Sequence, residues 1–473
     1  MARRKSHSAR HQYQWGFKTL PYELRHHILE DLRKQADPKQ RFSTWAHVSR
    51  EWQHFFEPDT FERLSLQIPG PDIRQLKYVV VNGRQKLVRK ISLHVHLACY
   101  SRREENKFED EFTKKANTKV FSDAILNLFT VLSGWKQDTS GQGLTFELSA
   151  SSPSYYPHRE CARYRIAFQD TASKQRLLGA LLDIRFNSPL SSIPSVTIIT
   201  SFSMNQRSHR KMSASAMAVL LASMPCLRDV NYQPVWVWSS FAYRDRERER
   251  ECYARNLAIS SLFRSVYISP SIQELSLWEA QYDDCPVYQR RLPESLVSVA
   301  VLASYRLRNF VISNVIDAAQ FFKCHESMAQ GLSRSLDHAH WPNLMYLCLT
   351  TEGGKDNLDV LLVRAARAAR QMPKLRIMEV WCPKVDYQGP MSFFFRYDVR
   401  RTDTRLTVSA SCRISLSERT VTDWQRASDL HSQHKLDHRV KFINVRRMEG
   451  CWLLYKRLRL YKLLRDWGPG SEH

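Results

Sequence analysis

The chain of 473 residues contains no run of about 18 apolar residues, the length that a membrane-spanning helix needs. Its N-terminus, MARRKSHSARHQYQWGFK, is basic but has no apolar segment of the kind that directs secretion. The ten cysteines are scattered singly and form no CxxC pair, which argues against a disulfide framework. We therefore expect a soluble protein of the cytoplasm or nucleus.

Short motifs of several enzyme classes are also missing, namely the hydrolase elbow GxSxG, the phosphate-binding GxxxxGK[ST] and the dinucleotide-binding GxGxxG. His94 and His96 alternate on a predicted strand and share a face, but no third metal ligand accompanies them. We interpret them as part of a polar strand face. The acidic stretch from Glu104 to Phe112 has no partner that would tune a carboxylate for acid–base chemistry. The sequence thus predicts no cofactor, no metal and no catalytic residue.

Lysine and arginine exceed the acidic residues strongly, and the formal charge is +24. Residues 1–18 hold five Lys/Arg and no acid, which gives +5, and residues 439–467 hold nine against two acids, which gives +7. Half of the excess therefore lies near the two ends. These ends are either solvated basic tails or segments that attract nucleic acid or acidic partners.

Residues 20–66 have the pattern of a compact helical cluster. Pro21 suits the start of a helix, and leucine and isoleucine then recur at helical spacing until ADPKQ interrupts the pattern. The stretch RFSTWAHVSREWQHFF predicts one further helix that carries Trp45, Val48, Trp52 and two phenylalanines on one face, and Pro58 is expected to end it. Three short helices make a marginal domain whose apolar face requires a partner.

The segment LPYELRHHIL, followed by VSREW, resembles the F-box. The resemblance covers about 45 residues. It implies binding to the S-phase-kinase-associated adaptor, which bridges to a cullin. The positions that the resemblance carries over as adaptor contacts or core residues are Leu20, Pro21, Glu23, Leu24, Ile28, Leu29, Val48, Ser49 and Trp52. Trp52 is also explained as a packing residue, whereas Leu20 and Pro21 are expected to face the partner.

Short strand-like runs recur along the chain, near Ile91, Ile198, Val230, Leu275, Val311, Leu347 and Ile377. Several follow helix-patterned segments and begin with Pro-x-Leu, as in MPCLRDV, WPNLMYL and MPKLRIM. This alternation is typical of a leucine-rich-repeat solenoid with stacked parallel strands, although its spacing varies from 31 to 48 residues. An ordinary α/β sandwich is the alternative.

The C-terminal part has a different pattern. MSFFFRYDV, RLTVSAS and CRISLS alternate as strands, ERTVTDWQRASDLHSQH reads as a helix, and GCWLLYKRLRLYKLLRDW reads as a basic amphipathic helix. This last helix either caps the final repeat or contacts a membrane surface or nucleic acid. CRISLSERTVTDWQRAS resembles the C-terminal part of F-box proteins of filamentous fungi.

The expected fold is therefore mixed, α+β or α/β, with a three-helix F-box, an irregular leucine-rich-repeat-like solenoid with a parallel sheet, and a β-hairpin with C-terminal helices. The expected segments are a disordered tail 1–18, the F-box 19–66, the repeat region 85–390, a cap 391–467 and a disordered end 468–473. The resemblance implies a substrate receptor of an SCF-type cullin E3 ubiquitin ligase with an unidentified protein target. A nucleic-acid-associated scaffold that uses its basic ends is the alternative.

Overall fold

The structure is a computed structural model. It describes residues 17–36, 42–81, 83–101, 103–104, 109–136, 143–154, 180–185, 192–205, 208, 210–234, 245–279, 292–331, 341–351, 358–382, 393–432 and 434–442, with only the backbone for 245–251 and 330–331. The described residues pack as two compact units, one within Met1–Leu64 and Asn82–Arg89 and the other within Ser65–Val81 and Lys90–His473.

The first unit contains a 3-10 turn at Phe17–Thr19 and three α-helices, α1 (Tyr22–Gln35), α2 (Phe42–Ala46) and α3 (Arg50–Glu62). Helix α1 follows Pro21, whose extended backbone leads into the first turn. The predicted break after α1 is confirmed, since the helix ends at Gln35 and Ala36 has left the helical conformation.

Two details of the predicted second helix were wrong. Its sequence forms α2 and α3 instead of one helix, because the Ser49 hydroxyl accepts a hydrogen bond from the Trp52 N–H and starts a new helix there. Pro58 does not end α3 but lies inside it. A proline inside a helix removes only its own backbone N–H donor, so α3 can continue to Glu62. In the same turn, the Thr60 hydroxyl donates a hydrogen bond to the Phe56 carbonyl.

The fold is mixed α/β with a sheet of twelve strands among the described residues, in the order β1 to β12. The strands are β1 (Arg63–Ile68), β2 (Lys90–His96), β3 (Leu144–Ser151), β4 (Ile199–Met204), β5 (Asp229–Tyr232), β6 (Glu274–Trp278), β7 (Asn309–Asp317), β8 (Tyr346–Thr350), β9 (Ile377–Trp381), β10 (Phe393–Val399), β11 (Thr404–Ala410) and β12 (Leu436–Phe442).

Eight further helices belong to the described part of the chain. They are α4 (Asp72–Val79), α5 (Glu111–Leu132), α6 (Ala214–Ala222), α7 (Asp245–Ile268), α8 (Glu294–Ser304), α9 (Ala318–Gly331), α10 (Leu358–Ala369) and α11 (Glu418–His431). None of the described helices is long and apolar enough to cross a membrane.

Strands β2 to β9 run parallel, each beside its neighbour in sequence. This confirms the prediction that the strands near Val230, Leu275, Val311, Leu347 and Ile377 are neighbours in one largely parallel sheet. Strand β10 is antiparallel to β9 and β11, whereas β12 is parallel to β11. The predicted hairpin is therefore present as β10 and β11.

The stretch CRISLS, which was predicted as a strand, is not one. It leads into α11, and its last residue, Ser417, caps that helix by accepting a hydrogen bond from the Thr420 N–H. The predicted basic helix at residues 450–467 lies outside the described residues.

The parallel strands have one apolar face that packs on the helices. In β2, Ile91, Leu93 and Val95 are buried and alternate with polar residues that are only half-buried. Phe129 of α5 meets Phe146 of β3 with ring centroids 5.6 Å apart. The other face of strands β2 to β6 is polar, and we call it the open face.

Candidate partner-binding site

The core of the first unit is an aromatic cluster around Phe56. Its ring is fully buried and lies 5.1 Å from the Trp45 ring, 5.9 Å from the Trp52 ring and 4.9 Å from the Phe55 ring, between centroids. Leu29 of α1 is the other buried apolar residue of this unit's three helices. Trp52, which is half-buried, also meets Phe17 at 5.5 Å. The tryptophan therefore serves as a packing residue here.

One arginine fixes the chain that leads into α1. The Arg25 guanidinium donates to the Leu20 carbonyl at 3.0 Å and to the Lys18 carbonyl at 3.3 Å. Its Nε also donates to Glu51 Oε1 at 2.9 Å, at the first turn of α3. These bonds hold the Leu20–Pro21 segment in one conformation, so that a partner would meet an ordered surface.

The outer side of α1 is apolar and exposed. Leu24 keeps 51% of its surface exposed and Ile28 39%, and Pro21 is also exposed. At about 100° per residue, Pro21, Leu24 and Ile28 fall within about 60° of one another around the helix. We call these three residues the α1 apolar face. Isolated exposed leucines are ordinary, but three apolar residues on one ordered helical face are typical of a contact surface.

The structure divides the predicted site residues into two groups. Pro21, Glu23, Leu24, Ile28 and Val48 are exposed, whereas Leu29 is buried and Leu20, Ser49 and Trp52 are half-buried. Val48 keeps 61% of its surface exposed, because it lies between α2 and α3 and not on the predicted helical face.

Sequence reasoning missed one exposed apolar residue in this region. Tyr22, the first residue of α1, is 62% exposed, and its ring lies 6.0 Å from the His26 ring. Its position directly after Pro21 was the available signal, since the first turn of a helix has few neighbours to cover it.

On the open face, polar side chains connect neighbouring strands. Glu147 of β3 accepts hydrogen bonds from Ser92 of β2 at 2.8 Å and from Asn205 after β4 at 2.7 Å, and it pairs with Lys90 at 2.7 Å. These contacts hold the carboxylate in one position and order the surface around it. The arrangement provides fixed donors and acceptors for a polar ligand.

The two predicted strand histidines lie on this open face. His94 Nδ1 is 2.8 Å from the Ser149 hydroxyl, and the two histidine rings are 4.6 Å apart. Burial lowers the pKa of His94, and the neighbouring His96 lowers it further. No group of three or more potential metal ligands occurs among the described residues.

A second titratable cluster lies on β8, β9 and β10. The Glu379 carboxylate accepts a hydrogen bond from the Tyr346 hydroxyl and lies 3.5 Å from the Arg396 guanidinium, yet burial raises its pKa above the ordinary value. Burial also raises the pKa of the Cys348 thiol well above its ordinary value. Because the thiolate is the reactive form of cysteine, this thiol has the character of a packing group and not of a nucleophile.

A family model described as a family of unknown function (DUF6546) matches residues 267–462. The match covers less than half of the chain; it begins at the end of α7 and ends 20 residues after β12. No F-box model matches the first unit. No curated protein matches the chain.

Proposed function

We propose that this protein is a substrate-receptor subunit of an SCF-type cullin E3 ubiquitin ligase. The first unit would bind the S-phase-kinase-associated adaptor and, through it, a cullin. The second unit would bind a protein target. Catalysis would belong to other subunits of the ligase, and the complex would work in the cytoplasm or nucleus.

The observation that carries this proposal is the α1 apolar face. It lies in the segment whose residues resemble the F-box, and Pro21, Leu24 and Ile28 are among the positions that the resemblance carries over as adaptor contacts or core residues. Burying one leucine or isoleucine side chain contributes about 1.5–3 kcal/mol, so a partner that covered this face would gain several kcal/mol. The unit's own core uses Leu29 and Phe56 and leaves these three side chains outside it.

The arrangement of the second unit supports a receptor role. Eight parallel strands follow one another in chain order, with a described helix between all neighbours except β3 and β4, as expected for a degenerate leucine-rich-repeat-like solenoid. Repeat arrays of this kind commonly present one broad surface to a protein partner. The open face, with its ordered polar groups around Glu147, is the surface that we assign to the target.

The test is a binding measurement with purified full-length chain and purified adaptor, by isothermal titration calorimetry. Leu24→Ala with Ile28→Ala should weaken binding well over tenfold, because apolar interface anchors typically cost about 2 kcal/mol or more each. Leu20→Ala with Pro21→Ala should also weaken it. The matched control is Leu257→Ala with Val360→Ala, which removes equally exposed apolar side chains from the second unit and should change nothing.

Trp52→Ala separates binding from folding. Removing this packing residue should cost about 3 kcal/mol or more and unfold the small unit, whereas the α1 variants should keep its helical signal in circular dichroism. Wild-type chain that fails to bind the adaptor at micromolar concentration, or α1 variants that bind as well as wild type, would refute the proposal.

A further inference from the structure

The turns that lead from helices into parallel strands carry a row of arginines. Arg228, Arg308 and Arg376 each immediately precede a strand, namely β5, β7 and β9. Three more cations, Arg306, Arg370 and Lys374, lie in the same turns. All six are exposed, and none takes part in an ion pair of the described residues. We call these six residues the arginine edge.

Backbone hydrogen bonds align the three strand-leading arginines. The Gln273 N–H donates to the Arg228 carbonyl at 2.8 Å, and the Arg308 N–H donates to the Gln273 carbonyl at 2.7 Å. The Met345 N–H donates to the Arg308 carbonyl at 2.7 Å, and the Arg376 N–H donates to the Met345 carbonyl at 2.8 Å. The arginines thus occupy equivalent positions on alternate strands, and Gln273 and Met345 between them are uncharged.

The spacing follows from the sheet. Adjacent strands lie about 4.8 Å apart, so consecutive arginines of the row are about 10 Å apart and the row spans about 20 Å. About six stacked nucleotides cover this length, at about 3.4 Å per nucleotide of one strand. Two acids, Asp229 and Glu274, lie next to the row at its β5–β6 end, and Asp398, next to the row at its β9 end, is paired with Arg400 at 2.7 Å.

The opposite edge of the same sheet has a different character. The residues directly after β5, β6, β8 and β9 are Gln233, Glu279, Thr351 and Cys382, and none is basic. Arg210 and Arg255, which lie in the same unit, are buried and paired with Glu109 and Glu279. Of these two edges, it is therefore the one where the strands begin that carries the exposed cations.

Cations near the C-terminus of a helix can offset the helix dipole, but this role explains only some of the six residues of the arginine edge. Arg306 does donate to the carbonyl of Tyr267, at the end of α7, at 2.9 Å. Arg308 and Arg376, however, lie four and seven residues after the ends of α8 and α10, beyond the last helical turn. Their charges remain available to a ligand.

An exposed aromatic ring accompanies the cations. Tyr267 keeps 43% of its surface exposed, and the bond from Arg306 to its carbonyl places its backbone beside the arginine edge. Arginines that contact phosphates together with an aromatic ring that stacks on a base are the chemistry of single-stranded nucleic-acid binding. We propose that the arginine edge binds single-stranded nucleic acid through its phosphates, with Tyr267 stacking on a base. This site is independent of the proposed adaptor contact and of the basic chain ends.

The experiment uses the full chain and a fluorescent single-stranded oligothymidine, with affinity measured by anisotropy at several salt concentrations. The edge variant is Arg308→Gln, Arg370→Gln and Arg376→Gln. The matched control is Arg74→Gln, Lys115→Gln and Lys119→Gln, which removes the same number of exposed charges from α4 and α5. Both variants keep the basic ends and have equal net charge.

The edge variant should bind about 10- to 100-fold more weakly at moderate salt, and the slope of log affinity against log salt should fall by about 2, since each lost phosphate contact removes about 0.7. The control should bind like wild type. Tyr267→Ala should weaken binding without changing the salt slope, and Tyr267→Phe should preserve binding. Equal losses in the edge variant and the control, absent binding by wild type, or unchanged binding by Tyr267→Ala would overturn the proposal. Equal competition by polyglutamate would assign the edge to acidic polypeptides instead.

Discussion

The buried ion pair between Arg255 and Glu279 allows a sharp test of what holds the second unit together. Arg255, in α7, and Glu279, directly after β6, have side chains that are 2% and 3% exposed. Arg255 Nε donates to both carboxylate oxygens of Glu279, at 2.8 and 3.1 Å, and its Nη2 also donates to that carboxylate. The Glu279 carbonyl in turn accepts from the Asn314 amide at 2.9 Å, so the pair connects α7 with β6 and β7.

Glu279→Gln removes the carboxylate that pairs with the buried Arg255 charge. Breaking a buried pair by removing one partner costs about 3–5 kcal/mol, a large fraction of the 5–15 kcal/mol that stabilises a typical domain. We expect this loss in the free energy of unfolding of the full chain, measured by urea titration with tryptophan fluorescence. Glu274→Gln is the matched control at the other end of β6, where the carboxylate is only half-buried, and it should change stability by less than about 0.5 kcal/mol.

The pair can also be removed as a whole. Arg255→Met with Glu279→Gln eliminates both charges. The double variant should therefore lose markedly less free energy of unfolding than the two single variants, Arg255→Met and Glu279→Gln, lose together. A Glu279→Gln variant that is no less stable than Glu274→Gln, or two single losses that simply add, would refute the reasoning.

Two further predictions concern pH and the basic N-terminus. Burial lowers the pKa of His431 below 6.5, although the carbonyls that it contacts oppose the shift. As the pH falls below about 6.5, the unfolded chain therefore takes up a proton before the folded chain does, and the free energy of unfolding should decline. Urea titrations at several pH values should show a smaller decline in His431→Gln than in wild type. Deleting residues 1–16, which leaves Phe17 on Trp52, should not change the thermal unfolding midpoint, and a large decrease would show that the segment is structural.

The parallel strands could be predicted because each has a local pattern. Most of them alternate buried and polar residues, and several begin with Pro-x-Leu after a helical segment. Strand β3 (Leu144–Ser151) also alternates, but it lacks that start and was missed. Strand β12 was missed for another reason: most of its side chains are exposed, and only backbone pairing with β11 makes it a strand.

The wrongly predicted strand has a different cause. Its local pattern is that of a strand, but tertiary contacts give the segment another structure. CRISLS alternates like a strand, but its last residue is used differently: the Ser417 N–H and the Thr420 hydroxyl both donate to Asp359 of α10.

The F-box resemblance identified the residues of the candidate site but could not assign each to the core or the surface. Leu29 and Ile28 are neighbours in sequence, and only tertiary packing decides that the first is buried and the second exposed.

The arginine edge shows why a charge count along the sequence finds tails but not surfaces. Arg228 and Arg308 are 80 residues apart, and Arg308 and Arg376 are 68 residues apart, so no sequence window contains two of them. They become neighbours because the strands follow one another in parallel, which brings every helix-to-strand turn to the same edge. In such a fold, one arginine per turn suffices to build a charged row, and the same topology that orders the strands also determines where a polyanion would bind.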